Sequence, residues 1–322
     1  SSRGLGDVYK RQSFHHRILV CTAGWFAFSL GVPFASQACQ LCVPYPTQTA
    51  ADLLVDSPTV VLAREDPEIP FSFRVQETLK GELIGSQIDL FVDSTTRRRL
   101  AADPQSVVVL VGGDPEGGGD PEQKWRSLGV VDQEYLRILR RIALLSPQWT
   151  GPAGQQRRHQ FFLPLIAHSH PQLFQLAYQE IARAPYRVIK QASKLVDAAR
   201  LRKILAESSY FEWRGLATLM LAHNGDAADR EYLAEALRLA ERFGLVANLS
   251  ALAAAYVEHQ GAEGVAFLED RYLNAPQRSR EEVIEVISAL SVLGAEGDEQ
   301  LQSRIVEGYG ALLQTHPSLA GY

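Results

Sequence analysis

The chain reads as an α+β protein in two parts, a β-barrel-like domain at residues 39–149 and a helical region at 157–322. Three observations predict this. Between Thr59 and Val131, short β-branched and aromatic runs alternate with turn residues, the signature of a small barrel or sandwich. After Gln155 the apolar residues recur at a spacing near 3.6, the period of an α-helix. The stretch Thr150-Gly-Pro-Ala-Gly154 between the two is rich in helix-breaking residues and reads as a linker, residues 150–156.

The elements follow in chain order. Residues 1–12 do not start with Met and look like adapter read-through, so they are set aside from fold reasoning. A basic patch (Lys10, Arg11, His15, His16, Arg17) precedes the apolar run Ile18–Phe34, and Ser36 and Ala38 place small residues before a cleavage point. That is the pattern of a secretion signal cleaved after Ala38, and the run falls short of the ~20 apolar residues of a membrane anchor. Residues 1–38 are therefore read as adapter-like sequence plus signal peptide, with no membrane span in the mature chain. Lipid attachment at Cys39 is the competing reading. Signal peptidases of that class prefer Leu three residues before the cysteine, where this chain has Ser36.

Thr59–Arg64 reads as a strand, and Pro70–Gln76 alternates so that Phe71, Phe73 and Val75 share one face. Lys80-Gly81 makes a turn, Gln87–Val92 alternates again, and Ser106–Val111 is an unbroken apolar run, as in a strand covered on both faces. A Gly-rich acidic loop from Gly112 to Pro121 leads to a last strand at Lys124–Val131. Asp132 is an N-cap for a helix to Leu145, with Leu136, Leu139, Ile142 and Ala143 on one face. Ten helical segments follow: 161–167, 171–183, 186–195, 198–207, 210–223, 227–243, 245–259, 262–273, 280–293 and 299–315. Short turns such as Asn224-Gly225-Asp226 and Gln260-Gly261 separate them, which predicts a HEAT-like solenoid or an irregular helical bundle.

Composition narrows the partners. Hydrophobic content of 46% and charged content of 21% are those of a globular protein. Net charge is −5, and residues 1–38 carry Arg3, Lys10, Arg11 and Arg17 against Asp7, so the remainder lies near −8. Nucleic acid and anionic lipid both demand a basic face, and neither is expected as a partner.

Chemistry concentrates at Cys39 and Cys42, the cysteines left once Cys21 leaves with the signal. In an oxidising compartment two thiols at this spacing close a structural disulfide. A redox-active pair is the alternative, although Pro44 and Pro46 oppose the helix that would lower a thiol pKa. One Cys-x-x-Cys is half of a zinc site, with no second half in the chain. His159, His168 and His170 read as solvated histidines, the Asp-Pro-Glu loop at 113–122 as a flexible hairpin rather than a calcium site, and Arg97-Arg98-Arg99 as a solvated turn. Tyr210, Phe211 and Trp213 read as core. No nucleophile motif, phosphate loop or cofactor signature occurs, so no catalytic residue, cofactor or metal is assigned.

Two resemblances add to this. Cys39-Gln-Leu-Cys42, Ser57–Arg64 and Phe73–Gly81 are similar to the netrin-like modules of tissue inhibitors of metalloproteinases, which implies an OB-type barrel over about residues 39–145. Those inhibitors open on Cys-x-Cys, so the zinc-chelating role that the resemblance implies for Cys39 meets a different spacing here. Over nearly its whole length the chain looks like a family of exported proteins from planctomycete-like bacteria that join a signal peptide, a Cys-x-x-Cys, a β domain and helices. The pieces carrying it are Phe161-Phe-Leu-Pro164, Tyr178–Tyr186, Ala255–Gly261 and His316–Ala320. It implies an architecture and a natural C-terminus beyond Tyr322, and no activity.

The expected function is that of an exported binding or scaffolding protein of the periplasm or cell envelope. Its helical region would offer a surface to a protein partner. A thiol-disulfide redox protein using Cys39 and Cys42, and a netrin-like metalloprotease inhibitor, stand as alternatives.

Overall fold

Alternation and apolar runs become one antiparallel sheet. The computed structural model describes residues 48–82, 85–112 and 125–315. Strands β1 (Thr59–Glu65), β2 (Ser72–Lys80), β3 (Gln87–Asp89), β4 (Val107–Gly112) and β5 (Trp125–Val131) lie in the order β3-β2-β1-β4-β5. Every neighbouring pair is antiparallel, and register shifts beside Val61 and Ala63 curl β1 and β2 into a half-barrel. At the β2 end Gly81 has φ +76°, and a Cβ there would sit 2.1 Å from the Pro58 carbonyl oxygen, so only glycine closes this turn.

The two faces of β1 and β4 enter different cores. Val61, Ala63, Val108 and Leu110 turn inward with Phe73, Ile88 and Leu100. Phe71 and Val75 pack against that same cluster, so the face expected from their alternation is the one observed. Val60, Leu62, Val109 and Val111 turn the other way and join the helices in a second, larger core. The unbroken apolar run at β4 is thus a strand covered on both sides, as expected.

Thirteen helices are present among the described residues. Helix α1 (Ala50–Asp56) precedes the sheet, and α2 (Ser94–Ala102) crosses between β3 and β4. α2 corrects the solvated turn expected at Arg97-Arg98-Arg99. Asp93 caps it, accepting from the Thr95 and Thr96 amides at 2.8 and 3.0 Å. Arg97 pairs with Glu65 and lies 4.5 Å over the Phe71 ring, so partners outside the triplet order it. Helix α3 (Gln133–Leu145) starts from its Asp132 cap and buries Leu136, Leu139, Ile142 and Ala143 together.

The linker expected at 150–156 is instead the first half of α4 (Gly151–Phe162). Two breakers are used constructively there. Pro152 sits in the first turn, where its missing N–H costs nothing. Gly154 lets the helix lie on the backbone of Trp149, since a Cβ would fall 2.3 Å from the Trp149 carbonyl carbon.

The remaining helices are α5 (Pro171–Ala182), α6 (Tyr186–Ser193), α7 (Ala198–Ala206), α8 (Arg214–Asn224), α9 (Ala227–Phe243), α10 (Leu249–Gln260), α11 (Ala262–Leu268), α12 (Arg280–Glu296) and α13 (Glu299–Thr315). Tight 3₁₀ turns at Leu163–Ala167 and Ser208–Trp213 and a π turn at Glu269–Leu273 occupy positions where regular helix was expected. Helices α6, α8, α10 and α12 pack in succession as an inner row, with α7, α9 and α13 each laid against a member of it. α10 is buried nearly all round. Its Ala251, Ala253, Ala254 and Ala255 are wholly covered, and the small side chains let three neighbours approach closely. No helix among the described residues is long and apolar enough to cross a membrane.

Candidate functional site

Three arrangements of polar or exposed side chains stand out, and their chemistry differs. The first is an ionic knot. Arg158 on α4 donates Nε and Nη2 to Glu180 of α5 at 2.7 and 2.8 Å, and Nη2 also reaches Asp52 of α1 at 2.5 Å. Arg183 takes the other Asp52 oxygen, and the Thr49 hydroxyl donates to Glu180 at 2.6 Å. Thr49 and Asp52 also form the capping box of α1. Burial opposes the Asp52 charge, but the Thr49 amide, Arg183 and Arg158 outweigh it and hold the carboxyl below its usual range. Two carboxylates and two guanidiniums balance, and every carboxylate oxygen has a partner. Such a saturated network holds α1 to the helices and leaves no group free to react.

The second lies where α8 and α10 end against α6. The Tyr186 hydroxyl is 2.9 Å from His223 Nε2. Lys190 sits 4.9 Å over the Tyr186 ring and pairs with Glu258 at 2.7 Å. Burial, reinforced by Lys190 and His259 and opposed by Glu258, holds His223 below the ordinary imidazole value. His259 is lowered for the same first reason, with Arg230 adding to it. Beside it a groove of about 400 Å³ runs between α9 and α10, lined by Arg230, Tyr256, His259 and Gln260 among others. The cluster carries neutral histidines and a paired lysine, the make-up of a polar core at helix ends. Among the described residues no three His, Cys, Asp or Glu side chains are grouped to hold a metal ion.

The third is a surface. α9 carries two apolar stripes. Leu233, Leu237 and Ala240 face the core, exposed by no more than 3%. Tyr232, Leu239 and Phe243 form the other and are exposed by 54, 43 and 62%, with half-buried Ala236 between them. Residues 232, 236, 239 and 243 follow one another at four, three and four residues, which aligns them along one flank of the helix. Leu245, 51% exposed, follows just past the helix end at Gly244. Leaving large apolar side chains in water forgoes roughly 1.5–3 kcal/mol for each one fully covered. A contiguous patch of them is the usual mark of an interaction site.

The residues singled out from sequence fare unequally. Cys39 and Cys42, the acidic loop at 113–122 and His316–Ala320 lie outside the described residues, and the redox and inhibitor readings lie there with the cysteines. Of the three histidines, His159 is half-buried, and burial aided by Arg158 and Arg187 pushes it to about 4. His170 is an N-cap rather than a solvated group. Its Nδ1 accepts from the Leu173 amide at 3.4 Å while Nε2 lies 2.6 Å from Asp132, joining the caps of α3 and α5. His168 stands 3.6 Å from Glu134. In the aromatic group, Trp213 stacks on Tyr178 at 4.6 Å and Tyr210 packs against the core, as expected, whereas Phe211 is 59% exposed.

Sequence reasoning missed the knot and the α9 patch. The knot joins residues 106 and 131 positions apart, and no local signal announces such partners. The α9 patch did leave a signal, the second apolar stripe, but the period alone does not say which stripe meets the core. No family model, no curated protein and no solved structure matches the chain.

Proposed function

We propose that the chain is an exported binding or scaffolding protein of the periplasm or cell envelope, with the helical region as its docking element. The observation that carries this is the exposed flank of α9, where Tyr232, Leu239 and Phe243 stand in water on a rigid, capped helix. A stripe of apolar anchors at helical spacing is how helices engage protein partners. The architecture supports the same reading. The order β4-β1-β2-β3, with β5 added beside β4, is that of a Greek key and fits a partly open barrel of OB type. The succession α6, α8, α10, α12, flanked by outer helices, fits a short HEAT-like stack, a form that serves as a binding surface.

The test is site-directed photo-cross-linking in the native envelope. A benzophenone side chain at position 239 is expected to capture a protein in a discrete adduct, and the same group at exposed Glu281 on α12 is not. Equal labelling at both positions, or none at 239, refutes docking through α9.

A further inference from the structure

The charges beside the exposed stripe of α9 are sorted along the helix. Glu231 and Glu235 lie toward its N-terminus, and Arg238 and Arg242 toward its C-terminus. Within one chain Arg238 reaches back to Glu231 and Glu235 at 3.1 and 2.9 Å, all three exposed. Arg242 lies 5.4 Å over the Phe243 ring, and among the described residues no carboxylate is within ion-pair distance of it. A surface with acid at one end and base at the other complements a reversed copy of itself.

We infer that α9 pairs with α9 of a second copy of this chain, antiparallel about a two-fold axis crossing the helix near Arg238. This rests on the docking reading above and names the partner of that same flank. The four-three-four spacing of residues 232, 236, 239 and 243 is the seam of an antiparallel helix pair. With the axis so placed, Tyr232 meets the partner's Phe243, and Ala236 meets the partner's Leu239. The same operation sets Glu235 near the partner's Arg242, and the symmetry repeats each contact. A parallel arrangement instead sets like charges level with one another, and it loses the match. Ala236 at the centre lets the two backbones approach closely, while the aromatic rings cover the ends.

One helical seam covers less than the ~800 Å² per partner of a standard interface, so this is a weak, concentration-dependent dimer. Electrostatics at its edge sets orientation more than strength.

Sedimentation velocity of the mature chain over a concentration series reads the association directly, with far-UV circular dichroism to confirm that each variant is folded. Leu239→Asp, an exposed position that leaves the core untouched, is expected to weaken association at least ~10-fold by setting carboxylates into the seam. Glu235→Arg alone and Arg242→Glu alone are each expected to weaken it several-fold at low salt, and the double variant to restore it to within about twofold. A chain that stays monomeric throughout overturns the inference, as does a dimer indifferent to Leu239→Asp or one that the double variant fails to rescue. The two readings fail separately. A monomer whose position 239 still cross-links to a different protein refutes self-pairing and keeps docking, and a monomer with no adduct refutes both.

Discussion

Replacing Arg158 with Met removes the centre of the ionic knot and keeps most of its apolar stem. Arg158 supplies both guanidinium contacts to Glu180, which is 4% exposed, and its loss leaves that carboxylate only the Thr49 hydroxyl. Asp52 is better protected, because Arg183 and the Thr49 amide remain. Removing one member of a buried ion pair costs ~3–5 kcal/mol. The expected loss at pH 7 is about 3–4 kcal/mol, the lower part of that range, because the Thr49 hydroxyl still donates to Glu180 and Arg183 still holds Asp52. Asp52 stays ionised at this pH. Its folded pKa is lowered from 3.8, so its contribution is present above that value and lost only as pH falls further.

Urea unfolding at pH 7, followed by circular dichroism and by tryptophan fluorescence, measures the loss. Adding Glu180→Gln to Arg158→Met removes the unpaired charge while keeping an acceptor for Thr49, and recovers about half of the deficit or more. A single variant within ~1 kcal/mol of the parent at pH 7, or a double variant no more stable than the single one, refutes the reasoning.

Two further outcomes follow from the same geometry. His159 is held neutral by burial, at about 4 in the folded chain against 6.5 unfolded, so protons bind the unfolded chain first. Stability is full above pH 6.5 and lost as pH falls toward 4, by at most about 2 kcal/mol at pH 5, and His159→Gln should flatten that part of a melting-temperature profile. Gly154→Ala forces a methyl into the Trp149 backbone and is expected to cost about 1–3 kcal/mol in urea unfolding, whereas the same change at Gly310, where a Cβ meets nothing within 4 Å, stabilises or is neutral.

Much of the helical region was legible because its signals are local. The helix Ala227–Phe243 was read to its exact ends, since Asp226 caps it with Asp229 and Gly244 adopts the left-handed conformation that stops it. The Asp132 cap and the buried face of α3 were legible for the same reason. Errors gathered where tertiary contacts overrule local preference. Pro152 and Gly154 are breakers in isolation, but the Trp149 backbone turns the glycine into the residue that lets α4 pack. The arginine triplet looked solvated because Glu65 and Phe71 lie about thirty residues away in sequence.

The amino-acid sequence by itself determined the five strands, the Asp132-capped helix after them, most of the helices beyond Phe161, and the double-sided burial of β4. Periodicity and capping act over a few residues, and they survive without the rest of the chain. The tertiary structure alone decided which of the two stripes on α9 was buried and which was left exposed. It alone brought Asp52, Arg158, Glu180 and Arg183 to one point. Those outcomes depend on which elements meet, and a helix with apolar residues on two faces carries no local instruction choosing between them.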